Sequence, residues 1–522
     1  MASEKIGIVG YGVYVPVHRI KSEYIVRARE RKRKDLPQFL DKVRNGLLLR
    51  EKAVAWLNED SITIATEAAG NAVDMAGIDP LEIGTVAVGS ESKPYAVGTI
   101  ARHVASFLGL GNRVYIADLE GACNAGMQSS AFVESQISSG RIRYGLAIGT
   151  DVAQAPVGDP LEYACGAGAG AFLLGREDPL ASIVDTSAYS TLTLDFWRRD
   201  GITVPSHFGR TTVEAYIKHV IGAIEGLLLK HPEISLKDFD YVTFHQPSGY
   251  MPMKTCKTLT QENIEILEHP ELEDRIRITP AFIEEKVRPW LRVLDTGNTY
   301  AAATLIATSD ILDHAKPGED ILAVSYGSGA YTIATWLHVE DAILQRRGRV
   351  PTVQDYLNRR HDLKIEAYDK LMKMKNGSMR ARLAAPRIVA EVEPYNGDMI
   401  TYTLCNGCER VFYPARDRCL EFDCNGPVEQ HSLPVNARLL SAKKLTLKDR
   451  LISNFDLMKQ GKVLIVDALL QELPPGTELE ALIRRLDDEG KQGLIIYGPT
   501  YRPAFRNKAL TKKAEAATVL TR

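Results

Sequence analysis

Over the first 340 residues, short apolar runs alternate with longer amphipathic ones. TVAVGS (85–90), RVYIAD (113–118), YGLAIGT (144–150), DYVTFHQ (240–246) and DILAVSYG (320–327) are brief, rich in Val and Ile, and bounded by Gly or Asp. Each is predicted to be a buried strand. SITIATEAAGNAVDMAG (61–77) and TVEAYIKHVIGAIEGLLLKH (212–231) carry apolar residues at helical spacing. Strand–helix alternation of this kind predicts a layered α/β architecture.

The pattern repeats. Gly77 precedes Glu91 by 14 residues, and His231 precedes His245 by 14. Each span runs from a helix end through a strand to a polar residue at the strand's C-terminal edge. Cys123 precedes Thr150 by 27 residues, and Asn298 precedes Ser325 by 27. Each of those runs from a small-residue turn (GACNAG, DTGNTYAA) through a helix into a strand. Two independent spacings agree, so two copies of one βα unit are expected, with Glu91 matching His245 and Cys123 matching Asn298.

Beyond residue 340 the pattern changes. QRRGRVPTVQDYLNRRHDLKIEAYDKLMKMKNGS is charged and helical, with both signs mixed, as in a solvated or docking helix. From about 386 the chain turns β-like. IVAEVEPYNGDMITYTLC alternates around an NGD turn, and the stretches after the late cysteines read as short strands of a small barrel. The final NKALTKKAEAATVLTR is polar and is expected to fray.

Composition narrows the class. The 522 residues are 45% hydrophobic and 25% charged, with a net charge of -2. This is ordinary globular composition, enough for about three or four domain-sized units. It excludes a disordered or collagen-like chain and gives no basic field to attract nucleic acid. No apolar run approaches the roughly 18 residues of a membrane span. The start, MASEKIGIVGYGVYVP, reads as a strand and turn rather than a signal peptide. Seven cysteines in this length suggest no disulfide framework, and a cytoplasmic protein is expected.

Cys123 lies between a predicted strand end and a helix start near Asn124. There the helix dipole and free N–H groups favour a thiolate, while Gly121, Ala122 and Ala125 leave room for substrate. A buried structural cysteine is the alternative. His245 is delivered by a strand and Pro247 stops further pairing, which suits a proton donor or oxyanion partner. Alone it reads equally as a structural histidine. Glu91 stands at the matching place in the first half, where a cap or turn role competes with chemistry. Asn298 could polarise a carbonyl oxygen or simply cap its helix. Cys405, Cys408, Cys419 and Cys424 form two close pairs, CNGC and CLEFDC, suited to a structural Zn²⁺ held by four thiolates.

On these motifs, residues 1 to about 375 resemble hydroxymethylglutaryl-CoA synthase of the archaeal type, in the thiolase superfamily. The motifs are EKAVAWLNEDSITIATEAAGNA, GSESKPYAV, EGACNAG, HQP, GNTY, SYGSGA, DFWRRDG and GRTTVEAYIKHV, in the family's order. The resemblance implies a duplicated five-layered thiolase fold. It implies that Glu91 is a general acid/base, Cys123 the acyl acceptor and His245 catalytic. Asn298 and Ser328 would contact acyl group and CoA, and Thr212 would lie near the pocket. A lysine often follows HQPxG in the family; here Tyr250 stands there, and Lys254 is expected to reach CoA instead. After GNTY this chain has AAAT, and Ala164 and Cys165 stand near where the family offers Thr and small residues. These departures bear on which acyl-CoA acceptor is used.

The tail from about 386 resembles a zinc ribbon followed by an OB-fold, which in archaea is a separate protein accompanying thiolases and these synthases. The expected organisation is therefore 1–175 and 176–340 as thiolase-like halves, 341–385 as a helical linker, 386–428 as zinc ribbon and 429–508 as OB-fold. The expected activity is condensation of acetyl-CoA with acetoacetyl-CoA. A related synthase or thiolase using another acceptor, and a non-catalytic CoA-thioester scaffold, are the alternatives. Expected partners are acyl-CoA substrates, a second copy of the chain and an acetoacetyl-CoA thiolase, with neither nucleic acid nor membrane.

Overall fold

The computed structural model describes residues 5–375 except 154, 200, 201 and 203. Beyond these it describes 401–408, 411–412, 419, 424, 426–432, 436–438, 478–487 and 495–503. The first half holds β1 (Gly7–Tyr14), β2 (His18–Lys21), β3 (Glu51–Val54), β4 (Ile83–Gly89), β5 (Tyr115–Leu119), β6 (Tyr144–Val152) and β7 (Ala167–Gly175). The second holds β8 (Ala181–Thr193), β9 (Phe196–Trp197), β10 (Ser206–His207), β11 (Tyr241–Phe244), β12 (Asp320–Val324) and β13 (Gly329–Val339). Five helices matter to the site: α1 (Ser61–Ala76), α2 (Ile100–Phe107), α3 (Ala125–Ser138), α4 (Gly209–Lys230) and α5 (Ala303–Leu312).

The expected duplication is present in the sheet. Nine strands run in the order β11-β12-β13-β8-β1-β7-β6-β4-β5. In the first half β1–β7 and β7–β6 are antiparallel and β6–β4 parallel. In the second, β8–β13 and β13–β12 are antiparallel and β12–β11 parallel. The halves join where Gly7 and Ile8 of β1 pair with Ser182 and Ala181 of β8. The equivalence extends to the two small-residue turns: Ala122 and Gly297, each one residue before the matched pair Cys123 and Asn298, have φ of 48° and 70°.

Layering follows from the alternation of side chains along strands. Val86, Val88, Leu146 and Ile148 face α1, while Ala87 and Ala147 face inward with Met127 of α3 and Leu305 of α5. In the second half Leu322 and Val324 face α4, and Ile321 faces inward. The strands are apolar on both faces because helices cover both. The layers are thus helix, sheet, helix, sheet, helix, with α3 and α5 in the centre. That central contact is close: a Cβ at Gly126 would lie 2.2 Å from the Ala301 carbonyl oxygen.

Helix α1 begins sharply because the Asp60 side chain accepts from Ile62 and Thr63 N–H, and Thr63 returns a bond to Asp60 N–H. It ends at Gly77 in the left-handed region (φ 69°). The segment read as a helical linker packs on the first half. Its β14 (His361–Asp362) pairs with β2, and α6 (Ile365–Lys375) buries Tyr368 and Leu371 among Ile20, Ile25 and Val26. Its charges are paired as well: Arg29 meets Asp369 at 2.5 Å and Glu162 at 2.7 Å.

In the tail, β15 (Thr401–Cys405) pairs with β16 (Val411–Phe412) and β17 (Val428–Ser432). A second sheet joins β18 (Asn436–Arg438), β19 (Glu478–Asp487) and β20 (Ile496–Pro503). Most of the expected OB barrel, including residues 439–477, and the final polar stretch lie outside the described residues. The β19–β20 pair rests on α1. Arg502 meets Glu67 at 2.5 Å and Glu480 at 2.6 Å, and Arg484 donates to Tyr14 at 3.0 Å and Glu67 at 3.3 Å, all buried.

Candidate functional site

Cys123 sits in the turn between β5 and α3, two residues before the helix begins. The left-handed Ala122 swings the chain so that Asn124 N–H bonds back to Gly121 and Ala125 N–H to Ala122. Cys123 is 8% exposed, and its thiol lies beside the carboxyl of Glu91. Burial and the charge of Glu91 push the thiol well above its usual value. The thiolate expected from the helix N-terminus is therefore not the resting form. Desolvation beside carboxylates outweighs a dipole worth about 1 kcal/mol or less.

Glu91 follows β4 and is held from behind. Asp151, at the end of neighbouring β6, accepts from Ser90 Oγ (3.1 Å), Glu91 N–H (2.8 Å), Ser92 Oγ (2.6 Å) and, on its other oxygen, Ala301 N–H (3.0 Å). Arg198 caps the Glu91 carbonyl at 2.7 Å. Burial and the Asp151 charge push Glu91 up to about 8. Burial raises Asp151 as well, against its hydrogen bonds. Glu91 Oε1 is buried without a hydrogen-bond partner.

His245 follows β11 at the equivalent place and is fully buried. Its N–H bonds to Val324, its carbonyl accepts from Tyr216 at 2.6 Å, and Gln246 fastens the next residue to Trp290 and Val293. Neither ring nitrogen has a partner among the described residues. Burial lowers the ring to about 3, so it is a neutral imidazole. Asn298, 8% exposed, is pinned by backbone bonds to Ala164 and Gly166. Its side-chain oxygen accepts from Tyr300 N–H at 2.9 Å, which leaves the amide N–H groups as its free donors. Ser325 Oγ donates to Asn124 Oδ1, tying the second half to the start of α3.

Cys123, Cys165 and Tyr300 form one small apolar cluster with Ala153, Ala155, Leu161 and Phe196, and Cys165 sulfur lies 3.0 Å from Tyr300 hydroxyl. Ser328 donates to Asp195 at 3.1 Å, and Tyr326 hydroxyl and Gly329 N–H join it there. Thr212, in the first turn of α4, donates to the carbonyls of Asp195 and Phe208. Lys254 lies on a separate helix, α7 (Tyr250–Leu259), exposed and apart from these contacts. The structure thus brings Glu91 and Cys123 into contact and sets Ser328 and Thr212 around Asp195. Sequence reading missed Asp151 and Asp195. Asp151 directly follows the YGLAIGT strand, and Asp195 opens the DFWRRDG segment, but neither has a motif of its own.

The late cysteines also converge. Their four sulfurs lie within 4.8 Å of one another, with Cys405–Cys424 and Cys408–Cys419 at 3.6 Å. A tetrahedral site with Zn–S near 2.3 Å has S–S edges of about 3.8 Å, so the cluster fits such an ion. All seven cysteines are free thiols. Among the described residues no helix is long and apolar enough to cross a membrane.

Comparison with known proteins agrees with this architecture. The family described as Thiolase, N-terminal domain matches residues 55–164. Hydroxymethylglutaryl-CoA synthase of Methanopyrus kandleri is 42% identical over 372 residues, covering 71% of this chain and 98% of that protein. The enzyme of the same name from Methanocaldococcus jannaschii is 42% identical, covering 70% and 98%. Among solved structures, MvaS in complex with 3-hydroxy-3-methylglutaryl coenzyme A superposes with a TM-score of 0.62 at 24% identity, covering 71% of this chain and 92% of that one. An HMG-CoA synthase complexed with CoA gives 0.59 at 22% identity, covering 70% and 90%. These two likenesses carry the fold.

Proposed function

The chain belongs to the hydroxymethylglutaryl-CoA synthase family, and from that premise we propose that it condenses acetyl-CoA with acetoacetyl-CoA and water to give HMG-CoA and CoA. The observation that carries this reading is the contact between the Cys123 thiol and the Glu91 carboxyl. Cys123 sulfur attacks the acetyl thioester, and CoA leaves as its thiol with the proton Cys123 gives up. Glu91 as carboxylate then takes a proton from the acetyl methyl group. The resulting enolate carbon bonds to the β-ketone of acetoacetyl-CoA. The ketone oxygen becomes an alkoxide held by the His245 ring N–H and the Asn298 amide, and it takes up the proton that Glu91 removed, which returns Glu91 to the carboxylate. Water cleaves the Cys123 thioester and frees the product.

Asp151 fixes the Glu91 backbone by the bonds already described. Ser328 and Thr212 shape the wall around Asp195, and Lys254 on α7 is offered to the CoA phosphates. The domain boundaries expected from sequence, cytoplasmic location and an acetoacetyl-CoA thiolase partner belong to the same reading. Cys405, Cys408, Cys419 and Cys424 would hold one structural Zn²⁺, whose contribution is to fold the ribbon. A homodimer is supported by β5, the edge of the sheet, which pairs only with β4 among the described strands.

The test is mass spectrometry after acetyl-CoA, followed by a panel of acceptor thioesters. An adduct on Cys123 that acetoacetyl-CoA discharges to HMG-CoA is expected. No adduct overturns the enzyme reading, and discharge by a different acceptor alone overturns the substrate.

A further inference from the structure

The loop between β4 and α2, residues 90–99, carries Glu91 and has no regular structure of its own. Its first residues are anchored by Asp151. Its far end is anchored where Ile100 and Ala101 N–H bond to Asp118. Between them stands Tyr95, and its hydroxyl is held from the tail. Ile495 N–H donates to it at 2.7 Å, and it faces the Ile495 carbonyl at 3.4 Å.

A second route leads to the same loop from β20, two residues further along the tail. Tyr497 hydroxyl donates to Asp60 Oδ2 at 2.7 Å, while Asp60 Oδ1 caps α1. Ser61, the next residue, bonds through its hydroxyl to Ser92 carbonyl at 2.8 Å and lies 3.0 Å from Ser92 hydroxyl. Ser92 hydroxyl donates to Asp151 at 2.6 Å, the carboxylate that also accepts from Glu91 N–H. The Tyr497 ring packs against His103 and Phe107 of α2, and His103 stacks on Tyr95. Tyr497 near the start of β20 and Ile495 just before that strand thus hold the helix cap behind the loop's start and the middle of the loop.

We infer that the β19–β20 hairpin of the tail positions the loop that bears Glu91, with Tyr95, Asp60 and Tyr497 as positioning residues. The buried Arg484 and Arg502 contacts to Glu67 fix the hairpin on α1, and Ile495 and Tyr497 pass that placement to the loop. The inference rests on the reading of Glu91 as the base of carbon–carbon bond formation. The hairpin acts on the step that needs Glu91 and spares the acyl transfer to Cys123, which does not.

The experiment uses the full chain with Tyr95→Phe, Tyr497→Phe and both changes, with Glu91→Ala beside them. Acetyl transfer to Cys123 and single-turnover discharge by acetoacetyl-CoA are measured separately, and hydrogen–deuterium exchange is followed over residues 90–99. Tyr95→Phe removes the part-buried hydroxyl contacts to Ile495, and Tyr497→Phe removes the buried bond to Asp60. Each is expected to slow discharge about fivefold, with acetylation changed less than twofold. Exchange of the loop should quicken in both variants. Unchanged discharge in both, or equal loss in both half-reactions, would overturn the inference. So would faster exchange confined to the hairpin. Normal discharge by Glu91→Ala would instead overturn the assignment of the base, and the exchange data still report whether the hairpin holds the loop.

Discussion

The Cys123 thiol lies beside the Glu91 carboxyl, so the base of the proposed reaction holds the proton on its nucleophile at rest. The sulfur keeps its proton because burial and the neighbouring carboxylates disfavour a thiolate. Acetylation removes the thiol proton and with it any thiolate charge beside Glu91. Glu91 then faces the acetyl group, and its ionised form is the base that group needs.

Cys123→Ser is expected to abolish acyl-enzyme formation, since a hydroxyl lacks the nucleophilicity of sulfur. Mass spectrometry after acetyl-CoA checks this, and undiminished labelling would refute the assignment.

Glu91→Ala should retain acetylation and lose condensation by at least the roughly 10²–10⁴-fold of general acid–base catalysis. Removing the carboxylate also removes a charge that raises the Cys123 thiol, so its thiolate becomes easier to form. A variant that fails to acetylate, yet condenses once acetylated chemically, would reverse the roles.

Condensation by pre-acetylated enzyme should rise with pH through about 8. Glu91 is pushed up to about 8 by burial and by Asp151, and it must be ionised to accept a proton. Below that value the fraction of carboxylate falls tenfold per pH unit. A discharge rate that is flat from pH 6 to 9 would contradict this.

Burial alone would raise Glu67, but Arg502 and Arg484 outweigh it and hold the carboxyl at about 2, against 4.5 unperturbed. A depressed folded-state value contributes stability that is present above pH 4.5 and lost as pH falls through 2. The 2.5-unit difference (4.5 minus 2) corresponds to about 3 kcal/mol. Glu67→Gln should therefore unfold more easily in urea at pH 7. The gap to the unaltered chain should shrink on acidification. A gap that does not narrow towards acid would separate the hairpin's docking from this ion cluster.

One tightly held zinc per chain is expected at Cys405, Cys408, Cys419 and Cys424, and its removal should unfold the ribbon while the Cys123 site stays in place. Elemental analysis of protein prepared without chelator checks the stoichiometry, and its absence would count against the site.

Local pattern was enough for much of this protein. The strands at 83–89, 144–152, 241–244 and 320–324 follow from short Val- and Ile-rich runs, and α1 and α4 from helical spacing. The equal spacings from Gly77 to Glu91 and from His231 to His245 already announced the two halves that the sheet order displays. Cys123, His245 and Asn298 were legible because each directly follows a strand or turn. The late cysteines were legible because their ligand spacing is local. The tertiary structure decided what depends on residues far apart in the chain. Asp151 acquires its role only because β6 lies beside β4, and Asp195 because the DFW segment folds under Ser328. The state of Cys123 also reversed: a helix start favours a thiolate, but burial next to Glu91 is a stronger effect. The bonds from Ile495 to Tyr95 and from Tyr497 to Asp60 span 400 and 437 residues. Periodicity reports which face of an element is buried, and it carries no information about which distant element covers that face.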